Sequence, residues 1–336
     1  MATVTPTTMR KLLNDPEQIV KDSLVGLAAA HGDVLSVDHE AQIVVRAGGP
    51  RPGKVALVSG GGSGHEPLHT GYVGLGMLDA ACPGQVFTAP MPDQIAAAAR
   101  RVEAGKGVLL IVKNYAGDGA SFQTASDMLD LDHATVLVND DVAVENSTHT
   151  VGRRGVAGTV VVEKTVGAAA ERGADLFECK AIGDRVNACT ASMGVAFTSC
   201  TVPDAAAPTF DIGPADMEIG VGIHGEPGRY RRAVAPADEI VSLLVEPLLK
   251  DLGLARGHEV LLLVNGFGGT PLMELHLIHG IAGRQLQERG IAVRRRLVGN
   301  FATSLEMAGA SITLTVLDDA LAALWDAPVA TPALRW

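Results

Sequence analysis

The sequence predicts an α/β protein of two layered domains, and three observations carry that prediction. The chain has 336 residues, enough for two domains of about 150 residues each. It is 47% hydrophobic and 19% charged, yet only 4% aromatic with 39 glycines. Its cores must therefore be built from Ala, Val, Leu and Ile across many tight turns, the balance of α/β layers rather than of an all-β sandwich. Finally, short aliphatic runs alternate with alanine-rich or amphipathic stretches of helical length.

Taken in order, residues before about Met9 read as a loose tail. Asp15, Pro16 and Gln18 read as N-cap, N1 and N3 of a helix with apolar positions Ile19, Val20, Leu24 and Leu27, stopped by Gly32. Residues 54–58 form an aliphatic run that breaks into SGGGSGHEP at 59–67. Pro92 and Asp93 open an alanine-rich helix to about Ala104, and residues 107–113 form the next strand, with NYAGDGASF at its C-terminal end. Residues 135–138 give a further strand ending in NDD at 139–141, and 156–171 reads as helix. Two loops thus sit on consecutive strand ends. Open α/β sheets bind ligands outside the carboxyl ends of their strands, so the two should converge.

Composition shifts over residues 179–192. Beyond it, residues 195–202 and 217–223 are alternating or β-branched runs without a clear intervening helix, which points to antiparallel or mixed pairing. The second run leads into HGEPG at 224–228; an amphipathic helix at 236–252, a buried strand at 259–264, a GFGGTP turn and a helix at 271–289 follow. Residues 291–298 and 311–317 supply the last strands and 318–325 a short helix. The expected division is a first domain at 1–185, a mostly parallel sheet with helices on both faces, and a second at 186–336, a mixed sheet with helices, the boundary falling within 180–195.

A formal charge of -11 opposes binding to nucleic acid or to an anionic membrane. The longest aliphatic runs are of strand length, short of the roughly 20 residues that span a bilayer, and Arg10 and Lys11 precede no apolar signal region. The expected compartment is the cytoplasm. Cys82, Cys179, Cys189 and Cys200 show no ligand-like spacing and read as reduced thiols. No metal site is expected: Glu274, His276 and His279 fall at helical spacing, but as surface and interface positions. The Arg294–Arg296 run alternates faces of a strand and reads as solvated or salt-bridged; Tyr115 and Phe122, near the second loop, read as core by default, with walling of a pocket as the alternative. SGGGSGHE places His and Glu where a phosphate loop needs Lys and a hydroxyl, and it lacks the spacing of a serine-nucleophile elbow.

Three glycine-flanked loops nevertheless carry titratable groups after aliphatic strands: His65 in SGGGSGHEP, Lys113 and Asp118 in KNYAGDG, and His224 in IHGEPG. Glycine lets backbone amides approach a small polar ligand and permits positive φ. One such loop is a weak signal; three together point to a site.

SGGGSGHEP, VKNYAGDG, VNDDVAVENS, GRRGVAGT, EIGVGIHGEPG and LWDAPVATPAL, in that order from about residue 9 to the end, resemble the substrate-binding (K) subunit of dihydroxyacetone kinase in its stand-alone form. The resemblance implies that His224 forms a covalent hemiaminal with the ketone. It further implies that Gly62, Ser63, Gly64, His65, Lys113 and Asp118 contact the substrate, with His65 and Asp118 in acid and base roles. It implies a homodimer that binds no cofactor itself and works with a nucleotide-carrying L subunit, where ADP recharged by a phosphotransferase relay, or ATP, sits with Mg²⁺. Two predicted domains leave no room for a nucleotide module, so the donor half is expected on another chain. The chemistry agrees: an imidazole that adds to a carbonyl distinguishes a short ketose from glycerol, and phosphoryl transfer then needs positioning and a base for the hydroxyl proton. NDD replaces a run often made of three acids, a strand-end change expected to matter little to the site. GASFQTA after Asp118 departs from the commoner pattern and leaves a four-carbon ketose such as erythrulose open as substrate. A ketose-sensing regulatory protein acting on a transcription regulator is the other alternative.

Overall fold

The computed structural model describes residues 11–144, 152–205 and 207–336. The expected N-terminal tail and the end of the VNDDVAVENS motif lie outside the described residues. The first sheet has strands β1 (Leu35–Asp38), β2 (Ile43–Arg46), β3 (Ala56–Ser63), β4 (Ala80–Val86), β5 (Val108–Lys113) and β6 (His133–Val138), in the spatial order β1-β2-β4-β3-β5-β6. Strands β4, β3, β5 and β6 are parallel, and β1 and β2 form an antiparallel edge.

Helices α1 (Ile19–His31), α4 (Gly158–Glu171) and α5 (Leu176–Ala188) cover one face, α2 (Pro92–Val102) and α3 (Ala116–Asp127) the other. Because both faces are covered, β3 and β5 are continuously buried rather than alternating. Helix α2 shows why the sequence was readable: Pro92 at its start, Asp93 in the first turn and Arg100 and Arg101 in the last complement the helix dipole, while Ile95, Ala96, Ala99 and Val102 face the sheet.

The second sheet has strands β7 (Thr190–Ala196), β8 (Asp216–Ile219), β9 (Tyr230–Ala233), β10 (Glu259–Gly266), β11 (Ala292–Gly299) and β12 (Gly309–Leu317), ordered β11-β10-β12-β7-β8-β9. Only β10 and β11 pair in parallel, so the sheet is mixed as expected. Helices α6 (Ala237–Asp251) and α7 (Leu272–Glu288) pack on its outer face. Its inner face shares one core with the first sheet: Leu261 and Leu263 belong to the same cluster as Leu57 and Leu109. Helix α4 lies between the two sheets and is buried from Gly158 through Ala170, which is why its sequence is mostly apolar on every face, with Glu163 and Lys164 as its charged exceptions. Helix α8 (Asp319–Trp325) packs on α4, and the C-terminal segment returns to the first half, where Leu75 and Ala330 exchange backbone hydrogen bonds of 3.1 and 3.0 Å. Among the described residues no helix is long and apolar enough to cross a membrane.

Several expectations are corrected. Asp15 does not cap α1: its carboxylate accepts from Glu17 N at 3.0 Å and closes a turn, and Gln18 is the N-cap. The expected strand at 195–202 is β7, six residues earlier at its end, and that at 217–223 stops at Ile219. The compositional shift at 179–192 is mostly helix α5, capped by Asp175 and Glu178. Gly60, Gly61 and Gly62 of SGGGSG are not in a loop but in the second half of β3, which ends at Ser63. Gly60 is small because β4 runs close beside it: a Cβ there would lie 2.5 Å from the Cys82 carbonyl oxygen. Asp118 likewise lies in the first turn of α3, not in a loop. The four cysteines are free, and the arginine run is salt-bridged, Arg294 to Glu259 and Asp319 and Arg295 to Asp326.

Candidate active site

Strand β5 ends on Lys113 and α3 brings Asp118 back over it. Lys113 Nζ donates to Asp118 Oδ2 at 2.9 Å and to His69 Nε2 at 3.0 Å, and lies 3.4 Å from the Gly60 carbonyl. The lysine is fully buried and Asp118 is 2% exposed. Their charges therefore depend on each other, since a lone ion at that depth would be strongly disfavoured. The ammonium lies directly over Gly61, where a Cβ would collide with Nζ and approach Asp118 Oδ2 to 3.3 Å. Glycine here makes room for a charged head group.

His65 follows β3 and is held from the second half of the chain. Asn265, at the end of β10, accepts from Phe301 N and Ala302 N and donates to the Ala302 carbonyl, which fixes the loop after β11. That loop pairs with the His65 segment through Leu305 N to Gly64 O (2.9 Å) and Thr303 N to His65 O (3.2 Å). The Thr303 carbonyl, in turn, accepts from His65 Nδ1 at 2.8 Å. The carbonyl can only accept, so Nδ1 carries the proton and Nε2 presents a lone pair. Nε2 of His65 faces Nε2 of His224 at 3.2 Å.

The His224 loop follows β8. Glu226 Oε2 accepts from His224 N at 2.9 Å, and its Oε1 is held by Arg154 at 3.0 Å. Arg154 also donates to Asp141 at 2.7 Å and to the Gly220 carbonyl at 2.7 Å. Nδ1 of His224 has no partner among the described residues. Phe87 stacks on His65 with centroids 5.0 Å apart, and the Tyr115 ring lies 4.0 Å from that of His224. Gly64, at φ +98°, has no room for a side chain, since a Cβ would meet Phe87 at 2.9 Å. Burial, aided by the Lys113 charge, pushes His65 down to about 3. Burial also holds His224 well below the usual imidazole range, with His65, Lys113 and Arg154 adding to it. Both rings are therefore neutral near pH 7, one of them able to act as nucleophile and the other to carry a proton.

The structure thus brings His65, Lys113, Asp118 and His224 into one buried polar site at the junction of the two sheets. Gly62 packs against the Phe87–Thr88 backbone. The Ser63 hydroxyl is taken by the Gly84 carbonyl at 2.7 Å and the Gly64 amide by Glu66 at 3.0 Å. Tyr115 packs on the first core and also against the His224 ring, whereas Phe122 packs between α3 and the sheet. The NDD run matters more than expected: Asp140 accepts from Val156 N and Gly158 N at the start of α4, and Asp141 anchors the arginine beneath the His224 loop. Sequence reasoning missed Arg154, Glu226 and Thr303. The first two sit inside motifs already singled out; a backbone carbonyl at Thr303 leaves no trace in sequence.

Fold and site together define a two-sheet α/β protein with two facing neutral histidines beside a buried lysine–aspartate pair. A model of the Dak1 domain matches residues 25–333, and the chain belongs to that family. It is 46% identical to the dihydroxyacetone-binding subunit DhaK of the PEP-dependent dihydroxyacetone kinase of Escherichia coli K12, over 98% of this chain and 99% of that one. It is 40% identical to a D-erythrulose kinase of Mycolicibacterium smegmatis over 97% of this chain but only 57% of the longer relative. Among solved structures, the dihydroxyacetone kinase operon co-activator DhaQ superposes with a TM-score of 0.86 at 32% identity, covering 93% of this chain and 97% of that one.

Proposed function

We propose that this chain is the dihydroxyacetone-binding subunit of a dihydroxyacetone kinase, holding the ketone as a hemiaminal on His224 while a partner subunit phosphorylates its terminal hydroxyl. The observation that carries this reading is the 3.2 Å approach of the His65 and His224 Nε2 atoms beside the Lys113–Asp118 pair. In the addition step the His224 Nε2 to carbonyl-carbon bond forms and the carbonyl π pair moves to oxygen. The proton leaving Nε2 passes to His65 Nε2 and from there to the new oxygen, so the adduct is neutral and His65 is restored. Asp118 then accepts the hydroxyl proton as that oxygen attacks the terminal phosphorus of the donor; the O–P bond forms, the bond from that phosphorus to the nucleoside diphosphate breaks, and the diphosphate stays with the partner subunit, while Lys113 stabilises the carboxylate before transfer. The nucleotide, with its Mg²⁺, belongs to the partner L subunit. A homodimer in the cytoplasm is part of the same reading.

Native mass spectrometry of the chain incubated with dihydroxyacetone tests the first half: an added triose is expected, and its retention in His224→Ala would overturn the covalent assignment. Mixing the chain with an L-type subunit and its donor tests the second. Dihydroxyacetone phosphate above the L-only background is the expected product. Faster turnover of erythrulose would make the substrate a four-carbon ketose, and an adduct without any turnover would make the chain a ketose-sensing regulatory protein.

A further inference from the structure

Behind Lys113 the site continues into buried polar side chains that the reaction above does not use. His69 Nε2 lies 3.0 Å from Lys113 Nζ, and His69 Nδ1 lies 2.6 Å from Glu163 Oε1. Ser59 Oγ, which donates to the Ile111 carbonyl at 2.7 Å, stands 3.0 Å from the same Nδ1. Glu163 comes from the middle of α4 and is fully buried; His69 is 4% exposed. An ionisable side chain is seldom buried to that extent unless a partner requires it, and His69 is the partner here. Burial pushes Glu163 well above the usual carboxylate range, opposed by Lys113 and Ser59, and pushes His69 well below the imidazole range.

The ring geometry leaves one consistent assignment of protons. The Lys113 ammonium can only donate, so His69 Nε2 must offer a lone pair. The proton then sits on Nδ1 and is donated to Glu163. In the other tautomer, Nε2–H would oppose the ammonium donor to donor, and the long, flexible lysine stem would move Nζ off Asp118. We propose that His69 and Glu163 are positioning residues for the reaction: Glu163 fixes the Nδ1–H tautomer of His69, and the lone pair left on Nε2 holds Lys113 Nζ against Asp118. The arrangement follows the logic by which a buried carboxylate orients a histidine tautomer in hydrolase triads. Either a carboxylate or a carboxylic acid at Glu163 can serve, because the acid's carbonyl oxygen still accepts.

The inference rests on Asp118 acting as the base, so its test has one readout that needs turnover and one that does not. With the complete chain and an L-type subunit, Glu163→Leu, which removes the acceptor, is expected to lower kcat about 30-fold with KM for dihydroxyacetone within about threefold, a loss confined to the chemical step. Glu163→Gln, which keeps an oxygen in place, should recover kcat to within about fivefold of the parent. Nitrogen NMR of labelled histidine should show His69 as Nδ1–H in the parent and in Glu163→Gln, and shifted toward Nε2–H in Glu163→Leu. Unchanged kcat in Glu163→Leu, failure of Glu163→Gln to restore it, or an Nε2–H His69 in the parent would each overturn the proposal. The parent spectrum decides even if Glu163→Leu does not fold. Absence of turnover in the parent would instead count against the kinase reading, with the tautomer still deciding the role of Glu163.

Discussion

His65 and His224 share one proton across a 3.2 Å Nε2 to Nε2 contact, and the Thr303 carbonyl decides which ring owns it. Since His65 spends its own proton on Thr303, the shared one belongs to His224, whose Nδ1 is left bare. A ketone entering the site must break this contact and displace that proton. His65→Asn, whose amide can still donate to Thr303, should therefore slow the approach to the adduct by about 100-fold, the usual scale of a lost proton carrier. Time-resolved mass spectrometry on mixing with dihydroxyacetone reads the rate. An unchanged rate would mean that solvent, not His65, moves the proton.

Asp118→Asn separates binding from transfer. The adduct should still form, because His65 and His224 remain, while kcat with an L-type subunit should fall by about 100-fold to 10,000-fold. The substitution also leaves Lys113 without its carboxylate, and losing one partner of a buried pair costs about 3–5 kcal/mol. Denaturant unfolding beside the kinetics checks both effects. Normal turnover in a folded variant would remove Asp118 from the base role.

Glu226 links the His224 backbone to Arg154, and through it to Asp141. It is itself partly exposed, so Glu226→Ala should cost little stability, while freeing the loop that aims the imidazole. Adduct formation should slow by about tenfold, since small misplacements of a reacting group are expensive, with the final adduct yield reduced. Arg154→Met should be the harsher change, because it strands Asp141, which is 1% exposed. Equal adduct rates in Glu226→Ala and the parent would show that the loop holds its shape without the link.

These contacts also explain how much could be read from sequence. His65, Lys113, Asp118 and His224 stood out because each lies among glycines at the end of an aliphatic run, and the fold brings those ends together. Where glycine was read as a turn, at residues 60–62, it instead provides room for β4 and for the Lys113 head group. Strands β1 and β2, four residues each, are too short to show a period. His69 and Glu163 are 94 positions apart, and only folding pairs them. Their one advance signal was a charged pair, Glu163 and Lys164, inside the otherwise apolar run GTVVVEKTVGAAA. A surface helix would spread its charges along one face, so a lone charged pair there marks burial with a purpose.

The histidines should also leave a mark on stability. His65 titrates at about 3 in the folded protein because burial and Lys113 disfavour its charged form, against about 6.5 in an unfolded chain. Between those values the unfolded state binds a proton that the folded state refuses. Stability linked to His65 is therefore complete above about pH 6.5 and is lost as the pH falls below it. The limiting slope for one such group is about 1.4 kcal/mol per pH unit. His65→Asn removes that group, so between about pH 4 and pH 6 its unfolding free energy should fall less steeply than the parent's, by up to that slope. Denaturant unfolding of both proteins across the window measures the difference. Parallel curves would mean that His65 titrates in the folded protein as it does in the unfolded chain, and that burial beside Lys113 does not hold its ring neutral below about pH 6.5.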